Sequence, residues 1–471
     1  MNLKTRRILY TAFTVLFFLA APPLVLYTAG FRYDFKYNRV VETGSMVVKS
    51  LPSEASIYID SVQSSEPTPT IINTILPGEI NLLVSLSGHH SWEKKIDIKP
   101  RVTSFEERIK LFSISEPIQI LNQSINEYWW NKNFDKLAYV TEDGELRLLN
   151  ILNQKDTLVA NVTEKPLTIF SWSPHTDEIL IGRSVDDTTE YVIVDANAFD
   201  RITPLSINST DIVRDIAWDP RSKSTLLGIT KTESLVRFNY LINTTRTISE
   251  GPILKYLATN NKILMIQETL KNNLVLAWLN PSDDTTIHII PEIIPTKFGY
   301  FLETHNQQIA IANTQTNSMT IIDPALKAPL RNESIINIPR AQDYHWSKYG
   351  NELIYSDGFG IYNNLFTTPI SIVPNQKQTN LVTRYSKPIT SLAVTDDNQH
   401  VFYTVDNNLL VREVHRTVDP KSTTLLENVS DIKQLNFVGT YDILTYLDGD
   451  NMLTVLPLSL EETRSFPFSS Q

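Results

Sequence analysis

Eight histidines carry the only side chains whose ordinary titration falls near neutral pH, and their spacing does not suit metal binding. His89 and His90 are adjacent, so on a strand they face opposite ways. His175, His288, His305, His345, His400 and His415 are scattered, and no His-Glu-x-x-His or comparable ligand spacing occurs. They read as turn and surface residues. Cysteine is absent, which removes disulfides, thiolate nucleophiles, iron–sulfur clusters and thiolate-held zinc together. The carboxylate pairs Asp186-Asp187, Asp283-Asp284 and Asp396-Asp397 fall in polar turns. Glycoside hydrolysis needs two carboxyls converging across a pocket, about 5–10 Å apart, which turns could supply only around a shared central channel. Asp448-Gly449-Asp450 begins like a calcium loop but lacks the further ligands, and reads as a hairpin tip. No Gly-x-Ser-x-Gly, phosphate-binding loop, Asp-box or Gly-x-Gly-x-x-Gly occurs, and Gly358-Phe359-Gly360 falls in a hairpin. The sequence therefore assigns no catalytic residue, no cofactor and no metal, leaves the binding residues unknown, and reads as a non-enzyme.

The elements that must hold these residues are strands. Thr, Ile, Val and Tyr are frequent, and they fit pleated, half-buried surfaces. At 471 residues, 42% apolar and 10% aromatic, the chain can bury large cores in more than one domain. Net charge is -10; removing Lys4, Arg6 and Arg7 leaves 39 basic against 52 acidic residues, or -13. An acidic surface repels phosphate backbones, so nucleic acid is not an expected partner. A chain this long without cysteine fits a prokaryotic envelope protein that does not depend on oxidative folding.

Residues 8–27 contain no charge. At about 1.5 Å per residue that run spans roughly 30 Å, the hydrocarbon thickness of a bilayer. With Lys4, Arg6 and Arg7 ahead of it, the pattern predicts a cytoplasmic stretch over 1–7, a transmembrane helix over 8–28 and an extracytoplasmic linker over 29–43. Ala20-Ala21 imitates a signal-peptide cleavage site, but Leu24, Val25 and Leu26 continue the apolar run, which favours an uncleaved signal anchor. Pro22-Pro23 is expected to kink the helix. Tyr27, Phe31, Tyr33, Phe35 and Tyr37 suit the outer membrane interface or packing on the next domain.

Residues 44–112 read as a compact, sandwich-like unit of short antiparallel strands. Ile57 and Ile59 alternate with Tyr58 and Asp60, Pro77-Gly78 marks a turn, Trp92, Ile96 and Ile98 mark a strand, and Phe105, Ile109 and Leu111 mark the last one. The unit resembles the PEGA domain family. The naming tetrapeptide stands here as Pro52-Ser53-Glu54-Ala55, and residues 56–60, Thr68-Pro69, Pro77-Gly78 and Gly88 follow in the family's order. The resemblance implies an extracytoplasmic β-module of bacterial and archaeal envelope proteins with no catalytic residues.

From 113 to about 462 a motif recurs: an apolar strand, an aromatic, a polar turn, a second apolar strand. It is centred on Trp130, Trp172, Trp218, Leu257, Leu302, Trp346, Val394 and Phe437, at spacings of 42, 46, 39, 45, 44, 48 and 43. Asp143-Gly144, Asp357-Gly358 and Asp448-Gly449 mark a second hairpin in three units and suit type I′ turns. Four strands per roughly 40–45 residues, repeated, is the pattern of a β-propeller, whose sheets bury their faces on one another. Eight blades are counted, with seven as the alternative, followed by a tail over 463–471. Trp172, Trp218 and Trp346 are expected to wedge between blades; a stacking platform for sugar rings is the other reading. Trp172-Ser173-Pro174 and Trp218-Asp219-Pro220 resemble TolB-type and WD40-like repeats, which implies a binding scaffold. Residues 117–125 are expected to supply one strand of the last blade. The fold class is thus all-β behind one transmembrane helix.

The function expected is a membrane-anchored, extracytoplasmic scaffold of the cell envelope, whose partner is another envelope protein or a cell-wall polymer. Two rivals stand beside it: a propeller glycoside hydrolase or lyase acting on extracellular polysaccharide, and an envelope sensor or assembly factor.

Overall fold

The computed structural model describes residues 3–28, 30–34, 38–161, 167–185, 188–198, 202–204, 212–260, 262–268, 274–279, 287–290, 300–305, 308–322, 335–347, 352–365, 379–414, 422–429 and 431–459. Among the described residues one helix, α1 (Leu3–Thr28), is long and apolar enough to cross a membrane, and none of its apolar window is buried in the protein. It takes in Lys4, Arg6 and Arg7, and it is assigned without a break through Pro22-Pro23, where a kink was expected. The stretch expected as a linker is partly folded. β1 (Phe31–Asp34) and β2 (Arg39–Glu42) pair antiparallel, and the Thr43 N–H and hydroxyl both donate to the Gly30 carbonyl at the hairpin's base.

The next domain is built from β3 (Gly44–Leu51), β4 (Ser56–Ile59), β5 (Val62–Gln63), β6 (Thr70–Ile75), β7 (Gly78–Ser85), β8 (Trp92–Ile98) and β9 (Thr103–Lys110). They form two sheets, ordered β6-β3-β9 and β5-β4-β7-β8, that enclose one cluster including Met46, Val48, Ile57, Leu82, Val84, Ile98, Ile109 and Leu111. Two expectations need correction. The unit is not wholly antiparallel: β3 and β9 run parallel, since the first and last strands lie side by side and the rest of the domain is the crossover. Phe105 is not a core residue but 63% exposed. The β3/β9 register shifts between Val48 and Ser50, and this bulge inverts the alternation, so that Glu106 and Ile109 point inward while Phe105 points out. Buried Glu106 accepts from Lys94 at 2.8 Å across the two sheets.

Among the described residues, the remaining strands form six separate four-stranded antiparallel sheets through residues 167–426 and one seven-stranded sheet in which residues 118–161 meet 433–457. The first strands are β10 (Ile118–Trp130), Leu167–Trp172, Ile212–Trp218, Ile253–Ala258, Tyr300–His305, Asp343–Trp346, Ile389–Val394 and Lys433–Val438. Each of the eight motif positions lies on one of these strands, and seven of them are last or next to last in it. The seven-stranded sheet divides at β10. Its second half, from Ile125, pairs with Lys136–Thr141, whereas its first half, from Ile118, pairs with Met452–Pro457. The segment expected to close the ring thus does so.

Each second strand reads as a near-continuous apolar run because it is covered on both faces; Lys136–Thr141, Thr225–Thr230, Glu352–Ser356, His400–Val405 and Ile443–Leu447 are buried at every position. Buried clusters join consecutive sheets. Ala138, Leu148, Ile179 and Val192 join the first to the second, and Leu180, Ile193, Trp218 and Phe238 join the second to the third. The last is joined to the first through Ile125, Tyr139, Val438 and Leu453. The domain is therefore a closed β-propeller with its cores between sheets rather than within them.

The Asp-Gly tips depart from the expected turn. Gly144 and Gly358 are left-handed (φ 77 and 96) while Asp143 and Asp357 are not, so these are longer tips, the first ending on its left-handed glycine and the second holding it at mid-tip; at Asp448-Gly449 the left-handed residue is Asn451. Two consecutive left-handed residues occur instead at Asp60-Ser61 and Asp406-Asn407.

Candidate interaction faces

Antiparallel strands reverse at every turn. In each unit the first-to-second and third-to-fourth turns therefore open on one face of the ring, and the second-to-third tips and the unit-to-unit connections on the other.

The β-domain occupies the first of these faces, at the last two units. Trp92 Nε1 donates to Glu413 Oε1 at 3.0 Å, at the end of a third strand. Lys110 Nζ meets Asp442 Oδ1 at 2.5 Å, in a first-to-second turn, and lies 5.2 Å from the centre of the Phe112 ring and 5.8 Å from that of Phe437. Phe112 is edge-on to Phe402 and His400 at 5.6 and 5.3 Å between centres. The Ser113 N–H donates to the Leu458 carbonyl and its hydroxyl to that of Pro457. A water-sized cavity of about 20 Å³ lies between His90, Trp92, Lys110, His400 and Glu413. Burial, and then the neighbouring His89, hold His90 below the ordinary histidine range. His89 and His400 are buried, so these two are not the surface residues expected from sequence. His175 is exposed at a turn, where its Nε2 lies 2.7 Å from the Pro220 carbonyl; the side chains of His288, His305 and His415 lie outside the described residues.

The opposite face carries hairpin tips that cap themselves. Thr141 Oγ1 accepts from the Glu145 N–H, and Thr230 Oγ1 from that of Ser234. Asp357 Oδ1 accepts from the N–H groups of Phe359 and Gly360, and Asp448 Oδ1 from those of Asp450 and Met452. Such internal bonds fix the tips without a partner. Among the described residues, those exposed on them include Glu142, Asp143, Lys231, Glu233, Asp406 and Asp450, with one aromatic, Phe359; Asp406 is paired with Lys387 of the neighbouring connection.

The aromatics at the strand ends do pack between units. Trp172 Nε1 donates to the Trp129 carbonyl at 3.3 Å, and Trp218 Nε1 to the Ser171 carbonyl at 3.2 Å. In both cases the acceptor immediately precedes the equivalent aromatic of the preceding unit. Trp218 and Trp346 are 7% exposed, which leaves no open ring face for a sugar. Along the first strands, which line the axis, Asp215 is engaged by Lys255 Nζ at 2.5 Å, and Asp343 is pushed up to about 6 by burial against the backbone N–H groups of Leu392 and Tyr344 that lower it. Among the described residues no three His, Asp or Glu side chains gather as a metal site. Asp186-Asp187 and Asp283-Asp284 lie outside the described residues; Asp397 accepts from Thr395 Oγ1 and the Gln399 N–H within its turn.

Residues 43–110 match the PEGA domain. No curated protein matches the chain. Among solved structures, the C-terminal WD40 domain of Sif2 is similar at 13% identity over 73% of this chain and 99% of that one, with a TM-score of 0.47. A chain of the mitotic checkpoint complex is similar at 12% identity over 73% and 93%, TM-score 0.39, and U3-55K at 11% over 73% and 98%, TM-score 0.40.

Proposed function

We propose that this protein is a membrane-anchored scaffold of the cell envelope, non-enzymatic, whose propeller binds another envelope protein on the face that the β-domain leaves open. The observation that carries the reading is the one-sided docking: Trp92–Glu413, Lys110–Asp442 and Phe112 all engage one face, so the self-capped tips are turned away from the β-domain. An exposed apolar helix supports the anchor, and Lys4, Arg6 and Arg7 support an N-terminus in the cytoplasm with both domains outside. Exposed Glu142, Asp143 and Asp450 on two of the tips, with Phe359 on another, suit a partner that presents basic residues and an apolar anchor.

The test is chemical cross-linking in the native membrane followed by capture of the full chain. One variant reverses Glu142, Asp143, Asp406 and Asp450 to Lys; a control reverses Lys132 and Lys223, exposed on the first face, to Glu. The cross-linked partner should be lost from the first variant and retained by the second. Equal retention by both, or recovery of wall polymer alone, would overturn the proposal.

A further inference from the structure

The turn between β8 and β9, residues 99–102, is bound to the foot of the helix. The Gly30 carbonyl accepts from Thr43, whose own carbonyl accepts from the Arg101 N–H at 3.1 Å; the Ser45 N–H donates to Val102, and Arg101 meets Glu42. Each link is one strand spacing, about 5 Å, so the turn lies within two spacings of the chain's exit from the helix. If residues 8–27 fill the hydrocarbon, Gly30 stands in the headgroup layer, which is roughly 5–8 Å thick on each side.

The chemistry at this junction differs from the rest of the surface. Arg32 lies 3.6 Å from the centre of the Tyr27 ring and donates to the Tyr27 and Phe31 carbonyls. Arg39, Lys99 and Arg101 are exposed around it, together with Val40, Tyr33 and Val102 at 53, 47 and 48%. Four cations, Arg32, Arg39, Lys99 and Arg101, thus share this junction with two acidic residues, Asp34 and Glu42, in a chain that carries -13 once Lys4, Arg6 and Arg7 are set aside. Cations beside exposed apolar and aromatic side chains, at the end of a membrane-length helix, are the composition of an interfacial surface.

We infer that the β1–β2 hairpin and the 99–102 turn form a collar that lies in the headgroup layer of an anionic bilayer and sets the β-domain's tilt on it. The inference rests on the membrane anchor proposed above. The collar takes lipid phosphate through Arg39 and Lys99, while Val40 and Val102 enter the acyl boundary.

Because the chain has no cysteine, single positions can be labelled cleanly. Full-length protein carrying Val102→Cys, labelled with a polarity-sensitive fluorophore, is reconstituted in phosphatidylcholine vesicles with or without phosphatidylglycerol; Phe17→Cys reports on the helix. With phosphatidylglycerol, the Val102 label should be quenched by shallow nitroxide lipids and become severalfold less accessible to iodide. The added variant Arg39→Gln/Lys99→Gln should restore iodide access without moving the Phe17 label. Equal iodide access in both vesicle types, with the Phe17 label embedded, overturns the collar and leaves the anchor standing. A Phe17 label open to iodide overturns the anchor and the collar with it.

Discussion

Leu111 and Phe112 are neighbours in the chain and are buried in different domains. Leu111 completes the core of the β-domain with Ile57 and Ile98, and Phe112 enters the cluster shared by the last two sheets of the ring, against Phe402 and Leu444. Adjacent residues in extended backbone point to opposite sides. The domain boundary therefore has no free joint at this point; it is a short segment between the end of β9 and the isolated His89–Ser113 bridge, with a core on either side.

Removing either ring or branch should have a different signature. Phe112→Ala removes an aromatic that is 4% exposed, at a cost of about 3–5 kcal/mol, and that cost falls on the contact between domains. Leu111→Ala costs about 2–5 kcal/mol within the β-domain. In calorimetry, Phe112→Ala is expected to separate the unfolding of the two domains into two transitions, and Leu111→Ala to lower the β-domain's transition while the contact persists. Two variants with the same thermogram would contradict the arrangement.

Lys110 and Asp442 form the polar half of the same contact, with side chains 19 and 6% exposed. Breaking a buried pair leaves a charge without its counterion and costs about 3–5 kcal/mol when burial is complete, and less for the partly open lysine. Lys110→Met should therefore destabilise by roughly 2–3 kcal/mol, and adding Asp442→Asn should recover a substantial part of it. Denaturant titrations of the two singles and the double give the coupling. A coupling near zero would mean that the pair does not hold the domains together.

The ring's closure can be locked. Gln119 and Thr454 are directly opposed on neighbouring antiparallel strands, at a separation of about 4.5–5.5 Å between Cα atoms, which a disulfide can span. Gln119→Cys with Thr454→Cys would create the protein's only disulfide and enclose most of the ring. Chain-entropy arguments give about 6 kcal/mol for a loop this long, less any strain. The oxidised form should melt several degrees above the reduced form. Failure to oxidise, with both thiols still titratable in folded protein, would place the closing strand elsewhere.

Much of this ring was legible in the sequence, because a strand covered on both faces must be apolar throughout and a strand end between sheets must be large and flat. The runs around Tyr139, Leu227, Tyr403 and Tyr446, and the aromatics Trp172 and Trp218, carry that demand in their own composition. The inward turn of Glu106 was not legible, since a one-residue bulge reverses the alternation without any change of residue type. Nor was the contact between domains. Trp92 and Glu413 lie 321 residues apart; Trp92 reads only as an apolar mark of its own strand, and Glu413 does not differ in kind from a surface residue until the fold brings them together. His400 looked like one more polar-turn histidine for the same reason; it is Phe112, from another domain, that covers it.

Asp343 gives the ring a dependence on pH. Its carboxyl sits at the start of a first strand, and burial pushes its pKa up to about 6, against the N–H groups of Leu392 and Tyr344 that pull it down. An unfolded aspartate titrates near 3.9, so between about pH 4 and pH 6 the native state holds a proton that the unfolded state has lost. Stability from this group is then greatest below pH 4, falls as pH rises through that window, and is fully lost above pH 6. A shift of two units corresponds to about 3 kcal/mol, and the partial exposure of Asp343 reduces that to roughly 1–2 kcal/mol. Asp343→Asn cannot ionise and keeps an oxygen for the same N–H groups. Relative to the parent it should gain roughly 1–2 kcal/mol at pH 7 over its effect at pH 4, read from urea midpoints at the two values. An effect of equal size at both would show that the carboxyl is not held in its neutral form by its surroundings.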